Sequence, residues 1–474
     1  MSGETGGKIS RRRFLEAAGV GVGTLGFPTV LLSCGGGSSG GSSGGGGGSG
    51  AGAAGPGNLS VLVSKDTAHP TEQAQLLAQI KKQFEDTHHG STVTFDTYAT
   101  AGEETTKLET AAASHEGPDI FEFGSTLIPT AWASKAFEVL TDAEWNQLGG
   151  KKAVFPAQLT MAGPSPNQLI GVPVTANPFA MVYNKRLLDA AGIKKPPSTW
   201  NDFIAAAKEL TKPDQNQWGS VLDLADGFDP WHLVWLFTTQ LGGNLISPDG
   251  KKAQLDSSQA VEGTGFWLDW VGKHKIASKQ GATYKAPDEI KGFAAGQIAM
   301  MIMQGPGGIP TYQTSPVAAE MAWAPDPTVP YGHSSVPHGG KPAQGFVSGQ
   351  YWSIFKYGKN KALALELFKV MLDPAIQYQT WKLRGQTPVV QATFQKYPET
   401  NQPPWDAFNT AEQKAYPIPF SGAFGQLEEL VGQAITKAAA EIATTGSYQQ
   451  ANLKAALGQA NQQLQSLLQQ GQGG

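Results

Sequence analysis

Leu59-Ser60-Val61-Leu62-Val63 is a short run of β-prone residues, and after the turn at His69-Pro70 the residues Leu76, Leu77, Ile80 and Phe84 recur on one helical face. A strand followed by an amphipathic helix reads as one βα unit. The order then repeats. Val93-Thr94-Phe95-Asp96-Thr97-Tyr98 alternates as a second strand, residues 105–113 read as a helix, and Asp119-Ile120-Phe121-Glu122-Phe123 as a third strand. Such alternation predicts an α/β sheet whose ligands sit beyond the strand ends.

Further along, Thr199 is placed to cap a helix by accepting from the amide near Asp202, while Phe203, Ile204, Ala207 and Leu210 form its buried face. Residues 362–372 set Leu363, Leu367, Val370 and Met371 on one face before Asp373-Pro374 stops the helix. Two more helices, 426–444 and a Gln-rich 451–469, close the sequence. With 474 residues, 40% of them hydrophobic, and 12 Trp, the chain can bury a substantial core and is longer than one domain usually is, which predicts two lobes.

The residues before Asn58 read differently. Ser10-Arg11-Arg12-Arg13-Phe14-Leu15 resembles a twin-arginine export signal, with Arg11 and Arg12 as the signal pair. The segment 17–33 is too short and Gly-rich to span a bilayer and reads as a signal core. Leu31-Leu32-Ser33-Cys34 looks like a lipoprotein box, which makes Cys34, the only cysteine, the expected lipidation site. Residues 35–57, almost wholly Gly, Ser and Ala, cannot bury enough apolar surface to offset their ordering entropy, and they form a tether with a reach of about 25 Å. Setting aside Glu4, Lys8, Arg11, Arg12, Arg13 and Glu16 leaves 31 basic and 37 acidic residues, net −6. That balance argues against a nucleic-acid partner.

Several segments of the body, in order, resemble the family-1 extracellular solute-binding proteins of ABC importers, the maltose-binding-protein-like family. They are Gly117-Pro118-Asp119-Ile120, Gly171-Val172-Pro173 with Val182-Tyr183-Asn184-Lys185, Ala191-Gly192-Ile193, Pro197-Ser198-Thr199-Trp200-Asn201-Asp202-Phe203, and Phe293-Ala294-Ala295-Gly296-Gln297-Ile298-Ala299-Met300. Asp202 stands where the family usually has Glu, which is harmless at a cap. No aromatic follows Gln304-Gly305-Pro306-Gly307, where the family usually carries a Gly-x-Trp.

The resemblance implies a two-lobe periplasmic-binding-protein fold of type II, its discontinuous lobes joined by hinge strands near 175–180, 303–305 and 348–352. The expected layout is signal peptide 1–33, lipidated cysteine and tether 34–57, an N-terminal lobe of 58–177 and 304–348, and a C-terminal lobe of 178–303 and 349–474. It implies a monomer that captures a small polar ligand, expected to be a sugar, and passes it to the transmembrane subunits of an importer. The chain would be held to the outer face of the cell membrane by its lipid anchor.

A sugar wants carboxylates and amides at its edge and an aromatic ring beneath. Glu122 ends the third strand and Asp66 follows the first, so both are expected to face the ligand. Trp231 opens an apolar helix and offers a ring, with core packing as the rival role. The crossings nominate Asn177, Gln304, Tyr351 and Trp352, and Arg384 follows a helix near its end. Trp200, in the first turn of a capped helix, is assigned to packing. His88 and His89 read as solvated, and His333 and His338 are too loosely spaced for a metal, so neither metal nor cofactor is expected. Two alternatives stay open. The same fold could hold an anion, a metal ion or a polyamine, although arginine beyond the signal is confined to Arg186 and Arg384. An exported polysaccharide-cleaving enzyme has only its carboxylates in favour, with no catalytic motif.

Overall fold

The strands are β1 (Asn58–Ser64), β2 (Thr92–Tyr98), β3 (Ile120–Gly124), β4 (Gly171–Ala176), β5 (Ala180–Asn184), β6 (Met300–Gln304), β7 (Met321–Ala324) and β8 (Gly349–Ile354). They come from a computed structural model that describes residues 55–471 except Ala68 and Phe228. Five strands form one sheet in the order β2-β1-β3-β8-β4, and three form a second in the order β6-β5-β7. β1 runs parallel to β2 and β3, and Leu59, Val61, Leu62 and Val63 are all buried, as a parallel strand covered on both faces requires. The helix Pro70–Thr87 buries Leu76, Ile80 and Phe84. Thr100 opens the helix Ala101–Ser114 by accepting from the Glu103 amide at 3.1 Å. The expectations for Arg11, Arg12 and Cys34 fall on residues outside the described ones.

The expected lobe boundaries need correction. After β6 the chain stays with the second sheet, because β7 pairs with β5, and it returns to the first only at β8. β8 does not leave that sheet; it inserts antiparallel between β3 and β4. A strand bonded on both edges and covered on both faces is shielded from water, and Tyr351, Trp352, Ser353 and Ile354 are all buried. The helices Lys361–Met371 and Pro374–Arg384 then pack on Pro70–Thr87 of the first lobe. Trp405–Glu412 packs on β5 of the second sheet, and Phe424–Thr445 and Gln450–Gly471 join the helices Pro230–Gln240 and Ser258–Gly272 of the second lobe.

Two links between the sheets are therefore 177–179 and 325–348, and an aromatic cluster joins them. Phe179 on the first packs against Phe346 on the second at 4.9 Å between ring centroids, and Trp231 and His232 close around them. The Asn177 amide also donates to the Ser348 carbonyl at 2.9 Å. Trp200 takes the packing role expected of it: fully buried, it donates from Nε1 to Gln240 Oε1 at 2.7 Å.

Candidate ligand-binding cleft

The ends of β1, β3 and β4 (Ser64, Gly124 and Ala176) and the start of β8 lie at one edge of the first sheet. The start of β5 and the ends of β6 and β7 share one edge of the second, since Ala180 faces Gln304 and Met181 faces Ala324. Only three residues separate β4 from β5, so these two edges face each other. They also touch. Gly385, at φ 68, ends the first-lobe helix Pro374–Arg384, and a Cβ built there would stand 3.0 Å from the Pro306 carbonyl oxygen.

On the first-lobe wall most of the nominated residues are bound into the scaffold. Glu122 is 5% exposed. Its Oε1 accepts from the Ser64 amide at 3.0 Å and hydroxyl at 2.5 Å, and its Oε2 accepts from Trp352 Nε1 at 2.9 Å. The expectation of a ligand-facing carboxylate there is corrected: three donors already occupy it. Trp352 belongs to the core for the same reason. Tyr351 is fully buried and donates to the Gln158 carbonyl at 2.9 Å, and Gln158 Nε2 in turn donates to Glu412 Oε1 at 2.8 Å. Asp66 accepts from Arg384 Nε at 2.9 Å and from the His69 amide at 2.8 Å. Burial works to raise the Asp66 carboxyl, but the Arg384 guanidinium holds it below its ordinary range. Trp231 is fully buried within the hinge cluster, so its ring is core as well.

Polar groups without partners lie beside this scaffold. Thr175 Oγ1, Gln350 Oε1 and Gln386 Oε1 are buried without hydrogen bonds, and their residues line a 20 Å³ cavity with Arg384. Two half-buried rings, Trp381 on the first lobe and Trp323 on β7, likewise hold indole N–H groups without acceptors. Phe408 packs on Trp323 at 4.7 Å, and Trp405 on Trp381 at 5.2 Å. Neither Trp323 nor Trp381 sits in a pattern that marks it in the sequence.

Gln304 is the nominated residue placed most tellingly. It lines a 60 Å³ cavity with Asp223, Asp229, His232, Glu289 and Met303, among others. Its Nε2 donates to Glu289 Oε1 at 2.8 Å, and its Oε1 accepts from Tyr312 Oη at 3.2 Å. Burial, with Asp226 nearby, pushes the Asp223 carboxyl up to about 7 and that of Asp229 up to about 8; Glu289 is raised by burial and by Asp223. Burial also drives His232 down to about 3, which leaves it neutral. Beside the cavity, Met303 has φ 51, and its amide is held by both oxygens of buried Asp326 at 3.2 Å.

Two further carboxyls come close across the lobes. Glu104, 8% exposed, is pushed up to about 8 by burial, and Tyr98 and the Gly124 amide offset part of the rise. Glu428, 3% exposed, is raised by burial against the Thr126 hydroxyl, with Glu104 and Asp229 both adding repulsion. It sits on a helix packed against the second lobe yet faces Thr126, two residues past the end of β3. The three aspartates at 223, 226 and 229 are evenly spaced in a turn, a signal that sequence reasoning passed over. Glu289 and Glu428 come from distant helices with no local mark. Among the described residues no group of three His, Cys, Asp or Glu is placed to hold a metal, and no helix is long and apolar enough to cross a membrane.

The profile of the bacterial extracellular solute-binding proteins matches residues 67–378. The diacetylchitobiose-binding protein of Streptomyces coelicolor is 25% identical over 295 residues, covering 60% of this chain and 63% of that protein. The erythritol/L-threitol-binding protein of Mycolicibacterium smegmatis is 29% identical over 161 residues, 32% of this chain and 33% of its own. The chain thus spans less than two thirds of the length of these curated relatives. Maltose-bound MalE3 of T. maritima superposes with a TM-score of 0.70 at 18% identity, over 87% of this chain and 100% of that one. A ribitol-bound solute-binding protein of Agrobacterium radiobacter gives 0.68 at 18% identity, over 88% and 100%. At these identities the structures share the two-lobe fold.

Proposed function

The chain belongs to the bacterial extracellular solute-binding protein family, and from that premise we propose that it captures a sugar or oligosaccharide between its lobes and delivers it to an ABC importer without chemical turnover. The observation that carries this reading is the meeting of two sheet edges that both hold buried polar groups without partners, Gln350 and Gln386 on one side and Trp323 on the other. A hydroxyl-rich guest supplies donors and acceptors to such groups, whose desolvation costs about 1–3 kcal/mol each while unmet. The Trp323 and Trp381 rings supply the stacking face, since Tyr351 and Trp352 are buried in the core. The diacetylchitobiose- and erythritol-binding relatives, and the maltose- and ribitol-bound structures, favour a polyhydroxylated guest. Export through the Arg11-Arg12 signal, lipidation of Cys34 and a monomer on a tether complete the proposal.

Isothermal titration of the chain against mono- and disaccharides tests it. Saturable heat from at least one sugar, with the sugar recovered unaltered, is the expected result. Silence across the panel, or release of product from a polysaccharide, would overturn it.

A further inference from the structure

A second hollow lies on the second lobe, away from the cleft. The helix Pro230–Gln240 begins with Trp231 and His232 in the hinge cluster, whereas Phe237 and Gln240 at its other end line this groove. From Trp231 to Gln240 is about 14 Å along the helix. The groove holds 1070 Å³, against about 300–1,000 Å³ for small-molecule sites, and is roomy enough for an oligosaccharide. Its floor is fixed: Tyr448 Oη donates to the Gly265 carbonyl at 3.1 Å, and a Cβ at Gly265 would stand 2.8 Å from that hydroxyl oxygen. On one wall the rings of Phe266 and Tyr331 lie stacked, 5.1 Å between centroids and 14° from parallel, with Tyr331 37% exposed. His274 stands edge-on to Tyr331, their ring centroids 4.8 Å apart. It is 4% exposed, and its buried Nε2 has no hydrogen-bond partner among the described residues.

We infer that this groove is a second carbohydrate site, which holds an oligosaccharide on the outside of the second lobe. It goes beyond capture in the cleft and does not depend on it. The exposed face of Tyr331 offers the apolar C–H side of a pyranose a flat ring to stack on, and Phe266 behind it keeps that ring in place. Hydroxyls at the edge of such a sugar need both acceptors and donors. Asp269 and Lys273 line the groove as a pair 3.2 Å apart, one of each kind, and exposed Glu262 adds a further acceptor. Burial holds His274 below its ordinary range, so near neutral pH its ring is uncharged and Nε2 is donor or acceptor according to tautomer. A hydroxyl can meet either form, which neither a carboxylate nor an ammonium can. Charge argues against other occupants. Asp256, Glu262 and Asp269 outnumber Lys273 and Lys454 on the lining, a balance that disfavours phosphate-rich surfaces. The same charges interrupt the rings, so the groove lacks the continuous apolar patch that a protein partner would cover.

Proton–nitrogen correlation spectra of the imidazoles in the full chain, titrated with maltotriose, cellotriose and triacetylchitotriose, test this. The His274 resonances, assigned by their loss in His274→Gln, are expected to shift saturably with at least one of these saccharides. Tyr331→Ala should weaken that response about tenfold or more, and Tyr331→Phe, which keeps the ring, should retain it; both should leave saccharide binding in the cleft in place. His274 resonances unmoved by all of these saccharides, or moved at the same concentrations in Tyr331→Ala, would overturn the inference. A response to phosphatidylglycerol vesicles in place of the saccharides would overturn it too. None of these results touches capture in the cleft, which the calorimetric panel reads separately.

Discussion

Glu122 and Glu289 are both buried carboxylates near the strand ends of an α/β sheet, and they differ in what surrounds them. Glu122 accepts two bonds from Ser64 and one from Trp352, so every demand it makes is met inside the first lobe. Glu289 accepts one bond from Gln304, shares its cavity with Asp223 and Asp229, and is raised by burial and by Asp223. A satisfied buried network holds strands in register. An unsatisfied one stays costly until something else completes it. The contrast separates scaffold from site more sharply than residue type does, because both residues are glutamates and both are more than nine-tenths buried.

The largest expected effect breaks the scaffold side of that comparison. Trp352→Ala removes a ring that is 1% exposed and strips Glu122 of a donor, and it should cost about 3–5 kcal/mol in denaturant unfolding. An unchanged unfolding midpoint with lost ligand affinity would move Trp352 into the site.

A smaller effect sharpens the site side. Asp229 and Glu104 hold their protons in the fold up to about 8, whereas the unfolded chain releases them near its ordinary carboxyl range. The folded state therefore binds more protons in that interval, and stability contributed by these groups is lost as pH rises through about 8. His232 works the other way below about pH 6.5, because only the unfolded chain protonates it there. The empty protein should therefore melt a few degrees higher at about pH 6.5 than at about pH 8.5, and Asp229→Asn should flatten that slope. A melting temperature that climbs with pH over this window would contradict the cluster's protonation.

Local features were legible. The β-prone run Leu59-Ser60-Val61-Leu62-Val63 and the helical face through Ile80 and Phe84 both appear as read, and Thr199 caps its helix by accepting from the Asp202 amide at 3.1 Å. Each depends on residues a few positions apart. What escaped depends on distance along the chain. β8 was given to the wrong lobe because its partners, β3 and β4, lie more than 170 residues before it. Glu122 looked free because the bond that occupies its Oε2 comes from a residue 230 positions away. Gln304 was found through family resemblance, while its neighbours Asp223 and Glu289 were missed because a turn and a remote helix deliver them.

Small-angle scattering of the chain with and without a saccharide that binds it tests the central claim most directly. Capture between closing lobes predicts a smaller radius of gyration with the saccharide present, converging on the arrangement in which Gly385 meets Pro306. Superimposable profiles at saturating saccharide would contradict it.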